Sequence, residues 1–470
     1  MRRMRVTIMG LGLFGGGAGA ARHFAGVGHD VTVTDLRDEA TLAPTLDALA
    51  DLEVRYVLGR HDEADFKSCD LLVVNPGVRP GNELVKLARD SGARVTTEFE
   101  LGLEATARRG ARVLAVTGTN GKTTTAGMLV SILKSYDPRT RSGGNIGGSL
   151  LSAAGEVAEG APLVVEVSSF QLHRLTGLPG LEVAAITNLA PNHLDWHPTL
   201  GHYYAAKRRA VEFLPSHGTA VLNLDDATLK EWGGSAGRAT AWFTSAAEPP
   251  GEGVWVSEGR VLFRRGAERG EVARVDALPL RGPHDVSNAL AATGAALAFG
   301  LPPEAIAEGL AGFRHEGHRM ELVAEGAGVR FVDDSACTTP ESACAALGSV
   351  EGRVALVMGG SDKGCDFAIL GREIVERCEF VASVALMGEA GTRIGAAIKE
   401  AAATSGRKVL VDDAGSFDDA FAIAVASVTR DGGGTVLLSP AAASLDEFRN
   451  YRERGERFAE LARAWVAPSA

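Results

Sequence analysis

The chain has 470 residues, of which 45% are hydrophobic and 23% are charged, with a formal net charge of −11. This composition excludes a disordered or fibrous protein, and at roughly 150 residues per domain the length predicts about three domains. The acidic balance argues against nucleic acid or an anionic membrane surface as the main partner.

Cysteine usage and hydropathy indicate the compartment. The five cysteines include no C-x-x-C pair, so they predict neither a disulfide framework nor a zinc site. No stretch of 18 or more apolar residues occurs, which predicts that the chain has no membrane span. A reducing cytoplasm is the simplest location for such a chain.

Short β-rich runs alternate along the chain with alanine-rich helical runs, which predicts an α/β protein with largely parallel sheets. Three segments open with a buried-strand pattern that runs into a glycine-rich turn. These segments are residues 5–12, 113–118 and 354–360. Domain boundaries are predicted near residues 108 and 314.

The first glycine-rich turn fits a dinucleotide fingerprint. The residues Gly10, Gly12 and Gly15 follow a strand, and Asp35 ends the next strand about 20 residues on. The glycines let the backbone approach phosphate at a helix N-terminus, and the acid can bind ribose hydroxyls. A nicotinamide or flavin cofactor of a dehydrogenase, another nucleotide diphosphate and a purely structural turn all remain open.

The second turn, GTNGKT at 118–123, lies between a predicted strand and a predicted helix. Its free N–H groups can cradle phosphates, Lys122 can reach the β and γ oxygens, and Thr123 can hold Mg²⁺. Only two residues separate Gly118 from Gly121, whereas the general phosphate-loop pattern has four. The alternative is a simple Gly-Lys turn at a helix start.

Two further segments carry candidate metal ligands. Glu166 ends a predicted strand near the phosphate loop, where a carboxylate is a natural Mg²⁺ ligand. His193, Asp195 and His197 alternate, and on one strand they would share a face as in a hydrolase metal site. Pro191 favours a loop instead, so we predict that His193 alone contacts metal or phosphate and that the other two are structural or support it indirectly.

In this order the motifs resemble those of the Mur ligase family, whose own short phosphate loop reads like GTNGKTTT. The resemblance covers nearly the whole chain. Its further motifs are GGNIG at 143–147, EVSSFQL at 166–172, NHLD at 192–195, Tyr-x-x-Lys at 204–207, GPHDVSNALAA at 282–292, HRME at 318–321, GGSDK at 359–363 and LLSPAAASLDEFRNYRERGERF at 437–458.

The resemblance implies three domains: a Rossmann-like UDP-sugar-binding domain (1–108), a P-loop ATPase-like central domain with a mostly parallel sheet (109–314) and a Rossmann-like amino-acid-binding domain (315–470). It implies that ATP phosphorylates the carboxylate of UDP-N-acetylmuramoyl-L-alanine and that the amine of D-glutamate attacks the acyl phosphate. Peptidoglycan precursor synthesis in the cytoplasm, with ATP, two Mg²⁺ ions and small-molecule substrates only, is the implied setting. The chain is expected to act as a monomer.

The resemblance also assigns site residues. The catalytic and metal residues are Lys122, Thr123, Glu166, His193 and Lys207, the last as an N-carbamate. The ATP contacts are Gly118, Thr119, Asn120, Gly121, Lys122, Thr123, Thr124, Asn288, Arg319 and Asp334. The UDP-sugar contacts are Gly12, Leu13, Phe14, Gly15, Asp35, Arg37, Asn75, Gly77 and Asn145. The amino-acid contacts are Thr338, Lys363, Ser444, Leu445 and Tyr451.

One departure from the family pattern bears on the amino acid. Where ligases that add D-glutamate usually read Asp-Ser-Lys-Ala-Thr-Asn, this chain has Ala336 in place of the lysine, and the segment continues Thr338-Thr339-Pro340. That ending resembles a variant branch that adds L-glutamate to the same or an earlier precursor. The stereochemistry and the acceptor are therefore the open part of the prediction.

Overall fold

The computed structural model describes residues 3–11, 16–145, 148–193, 196–233, 239–280, 282–315, 317–362 and 365–467. The chain forms two compact units. The first runs to Leu280 and includes Asp285–Arg314, and the second consists of the short segment ending at His284 and of the chain from His315 onward.

The first unit begins with a parallel sheet in the order β3-β2-β1-β4-β5. Its strands are β1 (Arg5–Met9), β2 (Asp30–Asp35), β3 (Val54–Leu58), β4 (Leu71–Val74) and β5 (Arg94–Thr96). Its helices are α1 (Gly16–Gly26), α2 (Glu39–Asp47), α3 (Glu63–Ser68), α4 (Glu83–Asp90) and α5 (Glu98–Ala107). The strand order reverses between β1 and β4, and in such open sheets ligands bind at the carboxyl ends of the strands at this point.

A larger sheet follows in the same unit, in the order β14-β13-β12-β11-β10-β9-β6-β8-β7. Its strands are β6 (Arg112–Thr117), β7 (Arg141–Gly144), β8 (Pro162–Glu166), β9 (Leu181–Ile186), β10 (Thr219–Asn223), β11 (Ala239–Thr244), β12 (Gly253–Ser257), β13 (Arg260–Arg265) and β14 (Glu268–Arg274). Neighbours pair in parallel except at β12–β13 and β13–β14, which are antiparallel.

Helices cover both faces of this second sheet. They are α6 (Lys122–Tyr136), α7 (Leu150–Ala153), α8 (Ser169–Arg174), α9 (Leu200–Glu212), α10 (Ala227–Trp232), α11 (Pro283–Ala298) and α12 (Pro303–Ala311), with 3-10 turns at Ala154–Glu156 and Val275–Ala277. Alternate residues of β6 enter the two cores: Leu114 and Val116 pack with α6, α11 and α12, while Val113 and Ala115 pack with α5, α8 and α9. A strand buried on both faces in this way has the continuous apolar pattern seen in the sequence.

The second unit holds a sheet in the order β15-β16-β20-β17-β18-β19, parallel except for β15–β16. Its strands are β15 (Glu321–Gly326), β16 (Val329–Asp333), β17 (Val354–Gly359), β18 (Val381–Met387), β19 (Val411–Asp413) and β20 (Gly434–Leu438). Its helices are α13 (Pro340–Gly348), α14 (Ala368–Glu376), α15 (Gly388–Ser405), α16 (Phe417–Arg430) and α17 (Tyr451–Val466).

The predicted α/β class with mostly parallel sheets is confirmed. Each of the three predicted strand and glycine-turn segments begins a sheet strand, namely β1, β6 and β17. The proposed boundaries near residues 108 and 314 stay predictions. Within the described ranges, no helix is long and apolar enough to cross a membrane.

Candidate active site

The phosphate loop lies at the carboxyl edge of the second sheet, between β6 and α6. Gly118 has φ +148° and Gly121 has φ +77°, and a Cβ on Gly118 would collide with the side chain of Thr187. Only glycine adopts this backbone so close to a neighbour without strain. The loop therefore leads directly into the N-terminus of α6, where free N–H groups can receive an anion.

The backbone of this loop is braced by the segment after β9. Thr119 N donates to the Asn188 carbonyl oxygen (2.8 Å), and Asn120 N donates to Asn188 Oδ1 (3.0 Å). Lys122 Nζ donates to the Thr119 carbonyl oxygen (2.6 Å). The lysine ammonium thus lies against the loop itself, and its role on phosphate oxygens stays a prediction.

Asn288 of α11 lies against the same loop. Its Oδ1 accepts from Thr125 Oγ1 (3.3 Å), and a Cβ on Gly121 would collide with this oxygen. Thr123 and Thr124 are half-buried in the first turn of α6. The predicted contact of Asn288 with adenine stays a prediction, since the observed contacts are with the loop.

Lys207 of α9 is buried beside the loop, with 2% of its surface exposed. Its Nζ donates to the Gly118 carbonyl oxygen (2.6 Å) and lies 4.8 Å from the centroid of the Tyr203 ring. Burial, and next the charge of Lys122, hold the pKa of this amine well below its usual range, while Glu166 opposes the shift. The environment favours the neutral, nucleophilic amine.

Glu166 ends β8, level with the loop strand because Val116 of β6 pairs with it. Its Oε1 accepts from Asn145 Nδ2 (3.0 Å), and its own carbonyl oxygen accepts from Asn145 N (2.8 Å). Among the described atoms, Glu166 Oε2 is buried without a hydrogen-bond partner. A buried carboxylate oxygen with no protein partner is what a divalent cation would satisfy, so this residue fits a metal site.

The loop after β9 carries His193, whose backbone has φ +55°. The His193 ring is 4.7 Å from the Phe170 ring, and its carbonyl oxygen accepts from Trp196 N (3.1 Å) and His197 N (2.9 Å). The described residues around His193 form a loop, as expected from the presence of Pro191. The His193 side chain is exposed, whereas that of its neighbour His197 is buried.

His197 has the structural role that the sequence predicted. Its side chain is fully buried, with Nε2 3.0 Å from Ser169 Oγ and Nδ1 2.8 Å from His202 Nδ1. Burial and the neighbouring histidines lower the pKa of His197 to about 3. Asp195 lies outside the described residues.

A cavity of about 240 Å³ opens at the switch point between β1 and β4 and reaches the second sheet. Its lining includes Gly10, Asn75, Glu98, Gly144, Asn145 and Phe170. Asn75 Nδ2 donates to the Gly10 carbonyl oxygen (3.3 Å), and Asn75 Oδ1 accepts from Gly77 N (2.9 Å). The structure therefore brings Asn75, Gly77 and Asn145, three of the predicted UDP-sugar contacts, to one place.

Asp35 at the end of β2 is buried, and its carboxylate is already in use. Its Oδ2 accepts from Leu11 N (2.9 Å), and its Oδ1 accepts from the backbone N of Arg37 (3.0 Å) and from Arg37 Nε (3.1 Å). Asp35 thus orders the start of the glycine turn and orients a half-exposed guanidinium. The predicted contacts Gly12, Leu13, Phe14 and Gly15 lie outside the described residues.

In the second unit, Asp334 follows β16 and is buried. Its Oδ2 accepts from Ser439 Oγ (3.0 Å) and its Oδ1 from Met320 N (3.3 Å). Burial raises the pKa of Asp334 to about 7. The Nε of Arg319 is buried and, among the described atoms, has no partner. Arg319 immediately precedes Met320, whose backbone N donates to Asp334, and its positive charge opposes the rise in the Asp334 pKa.

Arg454 of α17 is a site residue that the sequence prediction missed. It is fully buried, and it donates to Ser335 Oγ and to the carbonyl oxygens of Ser335, Ala442, Ala443 and Gly359 at 2.9 to 3.5 Å. One guanidinium thus joins the loops after β16, β17 and β20. Its helical spacing with the buried Phe458 and Ala462 is a signal that could have revealed it.

Two of the predicted amino-acid contacts, Ser444 and Tyr451, lie on segments that are tied to Arg454 or to its partner Ser335. Ser444 is buried in the loop that Arg454 holds, and the Tyr451 carbonyl oxygen accepts from Ser335 Oγ (2.7 Å). Leu445 is 52% exposed, and Thr338 is half-buried before α13. Lys363 lies outside the described residues.

Three family models match in sequence order. They are the Mur ligase MurD-like N-terminal domain over residues 4–97, the Mur ligase middle domain over 116–296 and the Mur ligase glutamate ligase domain over 318–442. The chain belongs to the Mur ligase family. The predicted resemblance and the predicted class of three-domain α/β protein are confirmed.

Relatives of this Mur ligase chain match over almost its whole length. A protein named UDP-N-acetylmuramoylalanine–D-glutamate ligase from Roseiflexus sp. (strain RS-1) is 38% identical over 98% of this chain and 99% of its own. A protein of the same name from Geobacter metallireducens is 39% identical over 96% of both chains. A third, from Rubrobacter xylanophilus, is 40% identical over 88% of this chain and 89% of its own.

Solved structures of the family share the fold at lower identity. UDP-N-acetylmuramate-alanine ligase MurC from Thermotoga maritima matches with a TM-score of 0.61 and 18% identity over 98% of this chain and 100% of its own. A pseudomurein peptide ligase type C from Methanothermus fervidus matches with a TM-score of 0.56 and 18% identity over 99% and 100%. At this identity the likeness supports the fold alone.

Proposed function

We propose that this chain is an ATP-dependent ligase that joins D-glutamate to UDP-N-acetylmuramoyl-L-alanine and releases ADP and phosphate. The observation that carries the proposal is that Lys122 and Lys207 both donate to carbonyl oxygens of the phosphate loop, while Glu166, level with this loop, binds Asn145 of the cavity at the switch point of the first sheet. Close relatives carry the name of this activity. The reaction serves peptidoglycan precursor synthesis and so cell-wall biogenesis, cell shape and cell division.

The UDP sugar occupies the cavity of the first unit in this proposal. The glycine turn that begins at Gly10 cradles the diphosphate, and Asp35 with Arg37 lies toward the uracil end. Asn75 and Gly77 contact the sugar phosphate, while Asn145 directs the muramoyl end toward the phosphate loop. This orientation sends the free carboxylate of the substrate to the ATP site.

ATP lies on residues 118–124, with Lys122 on its β and γ oxygens. A carboxylate does not react with an amine until one of its oxygens becomes a good leaving group, and transfer of the γ-phosphoryl group supplies that. The chain contributes positioning and cationic donors rather than a covalent intermediate. Asn288 meets adenine, Arg319 the γ-phosphate and Asp334 the ribose of the nucleotide.

Mg²⁺ fits the same edge of the sheet, because Glu166 Oε2 is buried without a described partner. Thr123, Glu166, His193 and the carbamate of Lys207 would hold two ions, which would offset the negative charge of the triphosphate during transfer. The protein's own part is to keep these oxygens and the imidazole fixed: Asn145 orients Glu166, and Phe170 packs against His193.

The environment of Lys207 suits carbamate formation. The neutral amine attacks CO2, an N–C bond forms and a proton is released, so that a cationic side chain becomes an anionic one with two oxygens. Burial favours the neutral amine that this step needs. The tight contact of Lys207 with Gly118 keeps the resulting group next to the phosphate loop.

The second half-reaction uses the amino acid bound by the second unit. The glutamate amine attacks the acyl carbon, a tetrahedral intermediate forms, and the C–O bond to phosphate breaks to leave the amide. Lys363 pairs with a glutamate carboxylate, and Thr338, Ser444, Leu445 and Tyr451 complete the pocket. Arg454 supports that pocket by holding the loop of Ser444.

D-glutamate is the favoured amino acid, although Ala336 replaces the lysine expected from the family pattern. Ala336 N donates to the His318 carbonyl oxygen (2.9 Å), so its backbone is part of the ordered site. The relatives that match over the full length are named as D-glutamate ligases, and the L-glutamate alternative is not favoured.

Phosphate release from ATP tests the function. The purified chain is incubated with ATP, Mg²⁺ and UDP-N-acetylmuramoyl-L-alanine, with D-glutamate, L-glutamate or no amino acid. We expect release that depends on both the precursor and D-glutamate. Release with L-glutamate alone would select the variant branch, and no amino-acid-dependent release, with or without alanine on the precursor, would refute the ligase. NADH oxidation without ADP formation would indicate the dehydrogenase instead.

The setting of the reaction is part of the same proposal. We infer a cytoplasmic monomer whose partners are the small-molecule substrates, without nucleic acid or membrane insertion. The net charge of −11 argues against nucleic acid or an anionic membrane surface as the main partner. Light scattering after gel filtration, with and without substrates, tests the monomer.

A further inference from the structure

The loop 75–78 follows β4, and we call it the substrate loop because its first residue lines the UDP-sugar cavity. Its inner side belongs to the first sheet. Asn75 N donates to the Met9 carbonyl oxygen (2.9 Å), Val78 N donates to the Asn75 carbonyl oxygen (3.0 Å), and the Asn75 side chain joins Gly10 to Gly77. The outward carbonyl groups of Gly77 and Val78 face a different part of the chain.

Trp196 forms a hydrogen bond with the first of these carbonyl groups. Its indole Nε1–H donates to the Gly77 oxygen (3.2 Å), across 119 positions of sequence. The ring is 7% exposed and packs on Phe170 (4.8 Å between centroids) and on His173 (5.4 Å), both from α8. The indole is therefore held rigidly, with its donor aimed at the loop.

Arg174, the last residue of α8, forms a hydrogen bond with the second carbonyl group. Its Nη2 donates to the Val78 oxygen. Burial, and next the charge of Arg89, lower the pKa of Arg174 to about 10. The guanidinium therefore stays charged at neutral pH, although it is largely shielded from solvent. Desolvating a guanidinium is unfavourable, and Arg174 Nε is buried without a partner among the described atoms, so the bond to Val78 offsets part of that cost.

Trp196 also contacts the candidate metal loop. Trp196 N donates to the His193 carbonyl oxygen (3.1 Å), and the Phe170 ring lies between them, 4.8 Å from Trp196 and 4.7 Å from His193. Phe170 also lines the UDP-sugar cavity. A continuous set of contacts thus runs from the substrate loop to the histidine proposed as a metal contact.

We propose that Trp196 and Arg174 are positioning residues that fix the substrate loop at a set distance from the His193 loop, and so place the sugar-linked carboxylate of the substrate at the phosphate loop. The inference rests on the proposed function, and neither residue touches reacting atoms. Its physical basis is that a small misplacement of a reacting group lowers the rate steeply. The uridine is bound far from the reacting carboxylate, so the part of the substrate between them needs contacts of its own to fix its position.

Trp196→Phe tests the first contact, because phenylalanine keeps an aromatic ring against Phe170 and loses the N–H donor. Loss of the half-buried hydrogen bond to the Gly77 carbonyl oxygen predicts a rise of roughly three- to ten-fold in KM for the UDP-muramoyl precursor. KM for ATP should stay within about two-fold. Trp232→Phe is the matched control, because Trp232 is also 7% exposed and packs in the core of the same unit.

Arg174→Gln tests the second contact independently and covers the case in which Trp196→Phe is too unstable to assay. We expect the same selective rise in KM for the precursor. An unchanged precursor KM in both variants would overturn the proposal. Equal rises in all three substrate KM values, or the same rise in Trp232→Phe, would overturn it too, since general packing would then explain the effect.

Direct binding separates this inference from the function. Titration calorimetry measures the affinity of the chain for UDP-N-acetylmuramoyl-L-alanine in the absence of turnover. If the wild-type chain binds this compound but releases no phosphate, the ligase function fails while the loss of affinity in Trp196→Phe still decides the positioning role. If wild type and both variants bind it equally, the positioning role fails whatever the activity.

Discussion

Lys207 Nζ lies 2.6 Å from the carbonyl oxygen of Gly118, so a lysine of α9 touches the first residue of the phosphate loop. The contact spans 89 positions of sequence and is closed to solvent on the lysine side. A cation here would share the site with Lys122, which lowers the pKa of Lys207 further. Carbamylation of Lys207 makes its side chain anionic and so removes the repulsion between two cationic lysines.

Lys207→Ala is expected to lower kcat by roughly 100-fold or more, because it removes the group proposed to organise charge on the triphosphate. Small carboxylic acids such as formate or acetate should restore part of the rate by supplying the missing carboxylate. Phosphate release with and without added acid measures both effects. Lys230→Ala, on the exposed side of α10, is the control; wild-type rates in Lys207→Ala would make that residue a structural one.

Glu166→Gln should keep the fold, because the glutamine oxygen can still accept from Asn145. The variant loses the negative charge at the oxygen that has no described partner, so Mg²⁺-dependent binding of ATP should weaken by roughly 10- to 100-fold. Calorimetry with ATP and Mg²⁺ checks this. Glu182→Gln serves as control, since Glu182 pairs with Arg112 at the surface, and equal ATP affinity in both variants would contradict the metal assignment.

Asp334→Asn should change how stability depends on pH. The pKa of Asp334 is about 7 in the folded chain against 3.8 in the reference state, so the folded state binds more protons between these values. Its contribution to stability is present below pH 4 and is lost as the pH rises toward 7, by up to roughly 1.4 kcal/mol per pH unit.

Urea unfolding of wild type and Asp334→Asn from pH 4.5 to 7.5 measures the difference. We expect the free energy of unfolding of the wild type to fall relative to that of the variant as the pH rises. Asp418→Asn is the control, because Asp418 is exposed and pairs with Arg457. Parallel curves for wild type and Asp334→Asn would show that the carboxyl titrates normally.

Arg454→Met should destabilise the second unit by about 3 kcal/mol or more, since it leaves the Ser335 hydroxyl and the carbonyls of the three loops without their donor. Arg454→Lys should recover part of the stability and raise KM for glutamate more than KM for ATP, because the loop of Ser444 is held less precisely. Denaturant unfolding and steady-state kinetics check both.

Arg457→Met, three residues further along α17, replaces an exposed arginine paired with Asp418 and should cost less than about 1 kcal/mol. If the two methionine variants lose equal stability, the buried guanidinium does not hold the loops together.

Much of the site could be predicted from local sequence. The strand and glycine turn at 113–118, the helix that begins at Lys122 and the loop at His193 follow from turn chemistry and periodicity, which act over a few residues. The structural role of His197 was predicted as well, and its burial explains it. The ordered run of motifs by itself indicated the family.

Long-range contacts could not be predicted in the same way. Helical spacing with Phe458 and Ala462 indicates that Arg454 faces the core, but it does not indicate the three loops that its side chain joins. The contact of Asp35 with the UDP sugar stays a prediction, but no local pattern indicated that its carboxylate accepts hydrogen bonds from Leu11 and Arg37. Such roles depend on which elements pack together, which no local pattern contains.

The amino-acid sequence by itself determined the α/β class, the phosphate loop, the family and the chemistry that its residues can perform, because these depend on short motifs and their order. Only the tertiary structure decided that Lys207 is buried against Gly118, that Glu166 keeps a buried oxygen without a described partner, and that Trp196 reaches Gly77. Burial and neighbouring charges set the pKa of a side chain and decide which of its polar atoms lack a hydrogen-bond partner. Burial and neighbouring charges arise only when distant segments meet in the folded chain.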